Sequence, residues 1–154
     1  VGARRVLLCV VRRVGQGCIR CIVLMSCLFI SIGRLVNQSP STVRKAVCNY
    51  MESHLDTSYQ GMKIKDWIQW QTNSTPAQYI RHMRSSSTWG GAMEIAMCTR
   101  IYNVDIHVYE AYNQKKRLAE FVWDETRTAC VQLHISWTGN HYEPLQYINL
   151  TNTK

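Results

Sequence analysis

Residues 131–145 read Val131-Gln132-Leu133-His134-Ile135-Ser136-Trp137-Thr138-Gly139-Asn140-His141-Tyr142-Glu143-Pro144-Leu145. Val131, Leu133, Ile135 and Trp137 alternate with Gln132, His134 and Ser136, which is the period of a half-buried strand. Thr138-Gly139-Asn140 then supplies the residues of a tight turn, and a last strand is expected over 145–150. His141 follows the turn at once, at a strand end, where functional side chains collect. Glu143 lies two residues on. In extended chain such side chains face the same way, so its carboxylate can hold and orient the imidazole.

Working back from this segment, Val104, Ile106 and Val108 alternate with Asp105, His107 and Tyr109 as another strand. Asn113–Lys116 reads as a turn, and Leu118–Trp123 as a second strand. The earlier half is helical. Leu28, Ile32, Leu35 and Val36 share one face of a helix expected over 27–37. Ser39-Pro40 starts a second helix, whose stripe runs Val43, Ala46, Val47, Tyr50, Met51, His54 and Leu55. The chain then turns at Gly61. Residues 62–74 show little period. Thr75-Pro76 begins a helix carrying Tyr79, Ile80 and Met83, and Trp89-Gly90-Gly91 leads into another at about 92–102. Helices come first and a meander of strands follows, an α+β layout in one domain.

The 154 residues carry a formal charge of +8, which invites a nucleic-acid reading. Its position argues otherwise. Residues 1–51 hold Arg4, Arg5, Arg12, Arg13, Arg20, Arg34, Arg44, Lys45 and no acid, whereas residues 52–154 balance 10 bases against 10 acids. The apolar stretch 22–32 falls short of the ~20 residues that a bilayer span needs. Seven cysteines, an odd number mostly in apolar contexts, suit free thiols in a reducing compartment such as the cytosol. Cys18-x-x-Cys21 lacks the second ligand pair of a zinc site, so neither metal nor cofactor is expected.

The chemistry-bearing pair is Cys27 and His141. Cys27 opens the first helix, where free N–H groups and the helix dipole favour a thiolate, and a histidine beside it would hold it ionised. Spacing alone leaves a bland alternative, a core thiol and a loop histidine. Three segments in order add to it: Cys27-Leu28-Phe29, Trp89-Gly90-Gly91-Ala92-Met93-Glu94 and Asn140-His141-Tyr142-Glu143-Pro144-Leu145. Together they resemble the ovarian tumour (OTU) family of papain-like cysteine proteases, particularly its viral and mobile-element members, over roughly residues 27–148. The resemblance implies a papain-like OTU fold, with helices on a small mixed or antiparallel sheet. Cys27 is implied as nucleophile, His141 as general base, and Glu143 as the orienting group where the family usually has Asp or Asn. Met25 and Ser26 fall in the oxyanion loop. Trp89, Gly90, Gly91 and Tyr142 would line the substrate groove, although fold support is the main role expected of the middle motif, with Trp89 anchoring its helix in the core. The implied partner is ubiquitin or a ubiquitin-like protein, cut after its C-terminal glycine, and the domain could form part of a viral or transposon polyprotein.

One segment departs from the pattern. The family has Asp-Gly-x before the nucleophile, and here Leu24-Met25-Ser26 stands there. Leu24 cannot make the polar contacts of the Asp, and Met25 does not readily adopt φ > 0. Two readings compete. One is a catalytically impaired domain that still binds ubiquitin. The other is a shifted reading frame upstream of Cys27, because residues 1–26 are rich in Arg and Cys, lack acids and show no clean period. On either reading residues 1–26 form an atypical leader before a domain at 27–150.

Overall fold

The computed structural model describes residues 25–126 and 131–145. The leader up to Leu24 and the segment 146–150 lie outside them.

Among the described residues, five helices precede or flank a four-stranded sheet: α1 (Cys27–Val36), α2 (Pro40–Ser53), α3 (Ile64–Thr72), α4 (Pro76–Met83) and α5 (Ala92–Ile101). The helix starts follow the local chemistry. Ser39 accepts the Thr42 amide with Pro40 at the first helical position, and Thr75 and Gln78 cap α4 reciprocally, so the free amides of each first turn find partners. α3 follows a two-residue hairpin, β1 (Ser58–Tyr59) with β2 (Met62–Lys63). The sequence hid this helix because only Ile64 and Ile68 of it are fully buried, while Trp70 stands 79% exposed.

The sheet contains β3 (Val104–Glu110), β4 (Asn113–Phe121), β5 (Val131–Trp137) and β6 (Tyr142–Leu145), in the order β4-β3-β5-β6. It is mixed, and the expected meander is corrected. β5 pairs with β3 in parallel, while β4 and β6 pair antiparallel at the two edges. Two reversals bring β5 back to the direction of β3, and it takes the free side of β3 rather than of β4. The expected turn at 113–116 is the start of β4 instead. As an edge strand β4 is largely exposed, so Lys115, Lys116 and Arg117 sit in extended chain and guard the edge. β4 stops at Phe121, and Trp123 packs beyond it on Tyr50 and Tyr59. The last strand begins earlier than expected, at Tyr142.

The core joins Leu28, Phe29 and Ile32 of α1, Val43, Val47 and Met51 of α2, residues 93–98 of α5, and Ile106, Val108, Leu133 and Ile135 of the central strands. α5 is buried from Met93 to Thr99 between α2 and β3, with Ala92 and Arg100 exposed near its ends. α1 packs on α2 on one side and on β5 and β6 on the other, which brings the first helix against the last described strand. Among the described residues no helix is long and apolar enough to cross a membrane.

Candidate active site

Cys27 is the first residue of α1 and is 2% exposed. Its neighbour across the site is set by the β5–β6 turn. Gly139 takes φ +106, open to glycine without steric cost. The Thr138 amide donates to the His141 carbonyl at 3.0 Å, which closes the turn. The Tyr142 amide then donates to Cys27 Sγ at 3.4 Å, across 115 positions of sequence. The packing of α1 on β6 thus brings the thiol to the backbone next to His141.

His141 Nε2 lies 3.7 Å from Glu143 Oε1, an ion pair when the imidazole is protonated. The other ring nitrogen, Nδ1, is buried and has no hydrogen-bond partner among the described residues. A buried ring nitrogen without a partner is costly, and it remains open to exchange a proton with an adjacent group.

The expected effect of the helix start on the thiol is outweighed. Burial pushes the Cys27 thiol above its ordinary range, while the amides of Tyr142, Leu28 and Cys27 itself pull it down. The dipole of a ten-residue helix is a small term against removal of a forming anion from water. Tyr142 packs its ring on Trp137 at 4.4 Å, and burial with the nearby Cys27 and Glu94 pushes its phenol up to about 12.

The middle motif divides. Gly90 sits directly on α1: a Cβ there would lie 2.8 Å from Leu28 Cδ2 and 2.9 Å from Phe29 Cε2. Gly91 has no such neighbour. Its amide donates to Glu94 Oε2 at 2.7 Å, and the buried Glu94 also accepts the Tyr79 hydroxyl at 2.6 Å. Trp89 does not anchor its helix in the core. It is 41% exposed, since the close seat of Gly90 leaves the preceding side chain outside. His107 and His134 lie buried on the sheet face away from the helices, in ring contact with each other and with Tyr109. His54 stacks on Tyr50.

Of the expected oxyanion loop before Cys27, Met25 and Ser26 are described and half-buried, and the expectation of an open loop is corrected there: Met25 is helical and Ser26 lies in a turn at φ −104, ψ 9. Met25 is not among the residues with positive φ. Ser26 occupies the cap position of α1 but its side chain makes no cap bond. Its hydroxyl instead donates to the Ser86 carbonyl and accepts from Arg44 Nη2, both at 3.1 Å. Arg44 entered the sequence reading only as charge. The signal was its place on the buried stripe, one turn before Cys48. Among the described residues no three His, Cys, Asp or Glu side chains are grouped as metal ligands.

The model of the OTU-like cysteine proteases matches residues 26–142. Ubiquitin thioesterase OTU1 of Rattus norvegicus is 29% identical over 127 residues, 79% of this chain and 33% of the rat protein. The Danio rerio protein of the same name is 34% identical over 74 residues, 48% of this chain and 23% of its own length. The chain therefore spans about a third or less of these curated relatives. Among solved structures, the OTUD1 OTU domain is similar at TM-score 0.62 and 16% identity, covering 79% of each chain. The Hazara virus OTU bound to ubiquitin is similar at TM-score 0.60 and 19% identity, covering 82% of this chain and 78% of the other.

Proposed function

The chain belongs to the OTU-like cysteine protease family, and from that membership we propose that it hydrolyses the bond after the C-terminal glycine of ubiquitin or a ubiquitin-like protein. Cys27 is the nucleophile, His141 the general base and Glu143 the group that orients His141. The observation that carries the reading is the Tyr142 amide on Cys27 Sγ, because it sets the late histidine segment on the early cysteine. Glu143 faces Nε2, so the unpartnered Nδ1 is the atom that takes the thiol proton. The thiolate adds to the scissile carbonyl, and His141 returns the proton to the leaving amine. The thioester that remains is opened by water, which gives its proton to His141 and its hydroxide to the acyl carbon. Backbone amides at Met25 and Ser26 serve the oxyanion. Gly90 against Leu28 and Phe29 supports a groove wall of Trp89, Gly90 and Gly91 beside the nucleophile, with Tyr142 opposite. Ubiquitin as partner is supported by the names of the relatives and by the ubiquitin bound in the Hazara virus structure.

A second reading, a ubiquitin-binding module that has lost turnover, is favoured by the burial that raises the Cys27 thiol and by Leu24 in place of the family's Asp. Ubiquitin carrying a C-terminal electrophile separates the two. A protease forms a covalent adduct that vanishes in Cys27→Ala. Binding of ubiquitin without adduct leaves the module, and the absence of both refutes ubiquitin as the partner.

A further inference from the structure

We propose that a cationic cavity, formed where the starts of α1 and α2 meet the end of α4, binds a small phosphate monoester. The inference goes beyond the proposed hydrolysis and uses neither Cys27 nor His141.

The cavity has a volume of about 420 Å³, inside the range of roughly 300–1,000 Å³ usual for small-molecule sites. Three of its lining residues are cations, Arg44, Lys45 and Arg84. Three more carry hydroxyls, Ser26, Ser41 and Ser86. Pro40 completes the wall, and no lining residue is acidic. A cleft lined by one sign of charge focuses the field and concentrates counter-ions. Like charges gathered on one wall also repel each other, and an anion seated between them offsets that cost.

Two of the cations are held in place before any ligand arrives. Arg44 is 5% exposed. Its Nη1 donates to the Met83 carbonyl at 2.9 Å, its Nη2 donates to Ser26 Oγ at 3.1 Å, and the guanidinium lies 4.2 Å over the Phe29 ring. Arg84 donates to Asn49 Oδ1 at 2.9 Å and to Glu52 Oε2 at 2.7 Å. Side chains fixed in this way lose little freedom on binding. Glu52 is not part of the wall. Even with Arg84 counted as neutralised by it, Arg44 and Lys45 have no carboxylate within ion-pair distance among the described residues. The Lys45 ammonium is exposed and makes no hydrogen bond among the described residues, and neither does the Ser86 hydroxyl.

The donors select the ligand. Each guanidinium carries five N–H groups, and the contacts above engage only some of them. A phosphate monoester brings about −1.5 to −2 of charge and three acceptor oxygens. That suits two guanidiniums, an ammonium and a set of hydroxyls better than the single charge and two oxygens of a carboxylate. A bare phosphate would leave much of the cavity unfilled. The Pro40 ring and the methylene stems of the three cations supply apolar surface for an organic substituent.

The test is isothermal titration calorimetry of the full chain with n-butyl phosphate and with inorganic phosphate, at pH 8 and constant ionic strength, with thermal melting in parallel. The monoester should bind saturably and about tenfold more tightly than inorganic phosphate, the effect of burying about two methylenes. At ten times its Kd it should raise the melting temperature by about 4 °C. Lys45→Gln and Arg84→Gln, both at the surface, should each weaken binding by about tenfold or more, as loss of a hydrogen bond to a charged group does. Lys115→Gln removes an exposed cation of β4 outside the cavity and should leave binding unchanged. Equal affinity for the two probes would overturn the monoester in favour of a bare anion site. Equal weakening by Lys115→Gln would overturn the cavity in favour of general charge attraction. Neither saturable heat nor a melting shift with either probe would overturn the site altogether.

Discussion

Replacing Gly90 by alanine tests how the middle motif supports the nucleophile. The added Cβ would meet Leu28 Cδ2 at 2.8 Å, Phe29 Cε2 at 2.9 Å and Phe29 Cζ at 3.0 Å. Ordinary carbon contacts lie near 3.5–4.0 Å, so three atoms must retreat by roughly an ångström at most. Leu28 and Phe29 are 1% and 0% exposed and have no solvent to move into. Overpacking of this kind costs about 1–3 kcal/mol. At roughly 3 °C per kcal/mol for a chain of this size, the melting temperature should fall by roughly 3–9 °C. Gly91→Ala is the control. Its nearest neighbour would be Glu94 Oε2 at 4.0 Å and its φ is −142, so alanine fits without strain. Urea denaturation at constant m-value reads both variants. Because the displaced atoms belong to the residues next to Cys27, Gly90→Ala should also lose turnover more than Gly91→Ala. Equal stability of the two variants would refute the close seat of Gly90 on α1.

His141→Ala should cut turnover by about 10³-fold or more, the usual worth of a general base, whereas Glu143→Ala, removing a half-exposed carboxylate 3.7 Å from the ring, should cost about tenfold. Equal losses in steady-state turnover would mean that Glu143 does more than orient. Burial, with His107 and Arg117 nearby, pushes His134 down to about 4, so the folded chain resists a proton that the unfolded chain accepts below about 6.5. Stability is therefore lost as pH falls through that window, by about 2 kcal/mol between pH 7 and pH 5. His134→Gln should flatten the dependence in urea melts at the two pH values, with His107, Tyr109, Arg117 and Glu120 left in place, and an unchanged slope would contradict the burial account.

What was legible in the sequence followed from strong local signals. Ser39-Pro40 and Thr75-Pro76 mark helix starts because capping chemistry is local. The 104–108 and 131–137 alternation marks strands because each has one face on the helices. Helix α3 was lost since two buried isoleucines do not make a period, and the start of β4 read as a turn because a charged edge strand and a loop have the same composition. The parallel pairing of β3 with β5 depends on which edge was free, which no local pattern encodes. In the candidate site, Cys27, His141 and Glu143 came from their types and order. The contribution of Tyr142 is a backbone amide and is silent in sequence. Trp89 was misjudged because a tryptophan beside two glycines reads as an anchor, when it is the glycine that packs.

The charge distribution gains a different meaning from the same contacts. Of the two cations on α2, Lys45 faces outward and Arg44 is buried, so a count over residues 1–51 adds a solvated charge to one held inside the fold. The buried charge does local work on Ser26 and Phe29. This bears on how the thiol is activated. Burial raises the Cys27 thiol although the backbone amides of Tyr142, Leu28 and Cys27 pull it down, and such amides bind a thiolate more strongly than a thiol. Under the proposed mechanism the thiol proton goes to the buried Nδ1 of His141, and the amides then stabilise the charged sulfur. In that arrangement His141→Ala loses more than an acid and a base, because it also leaves the donors around Cys27 without the charge they are arranged to receive.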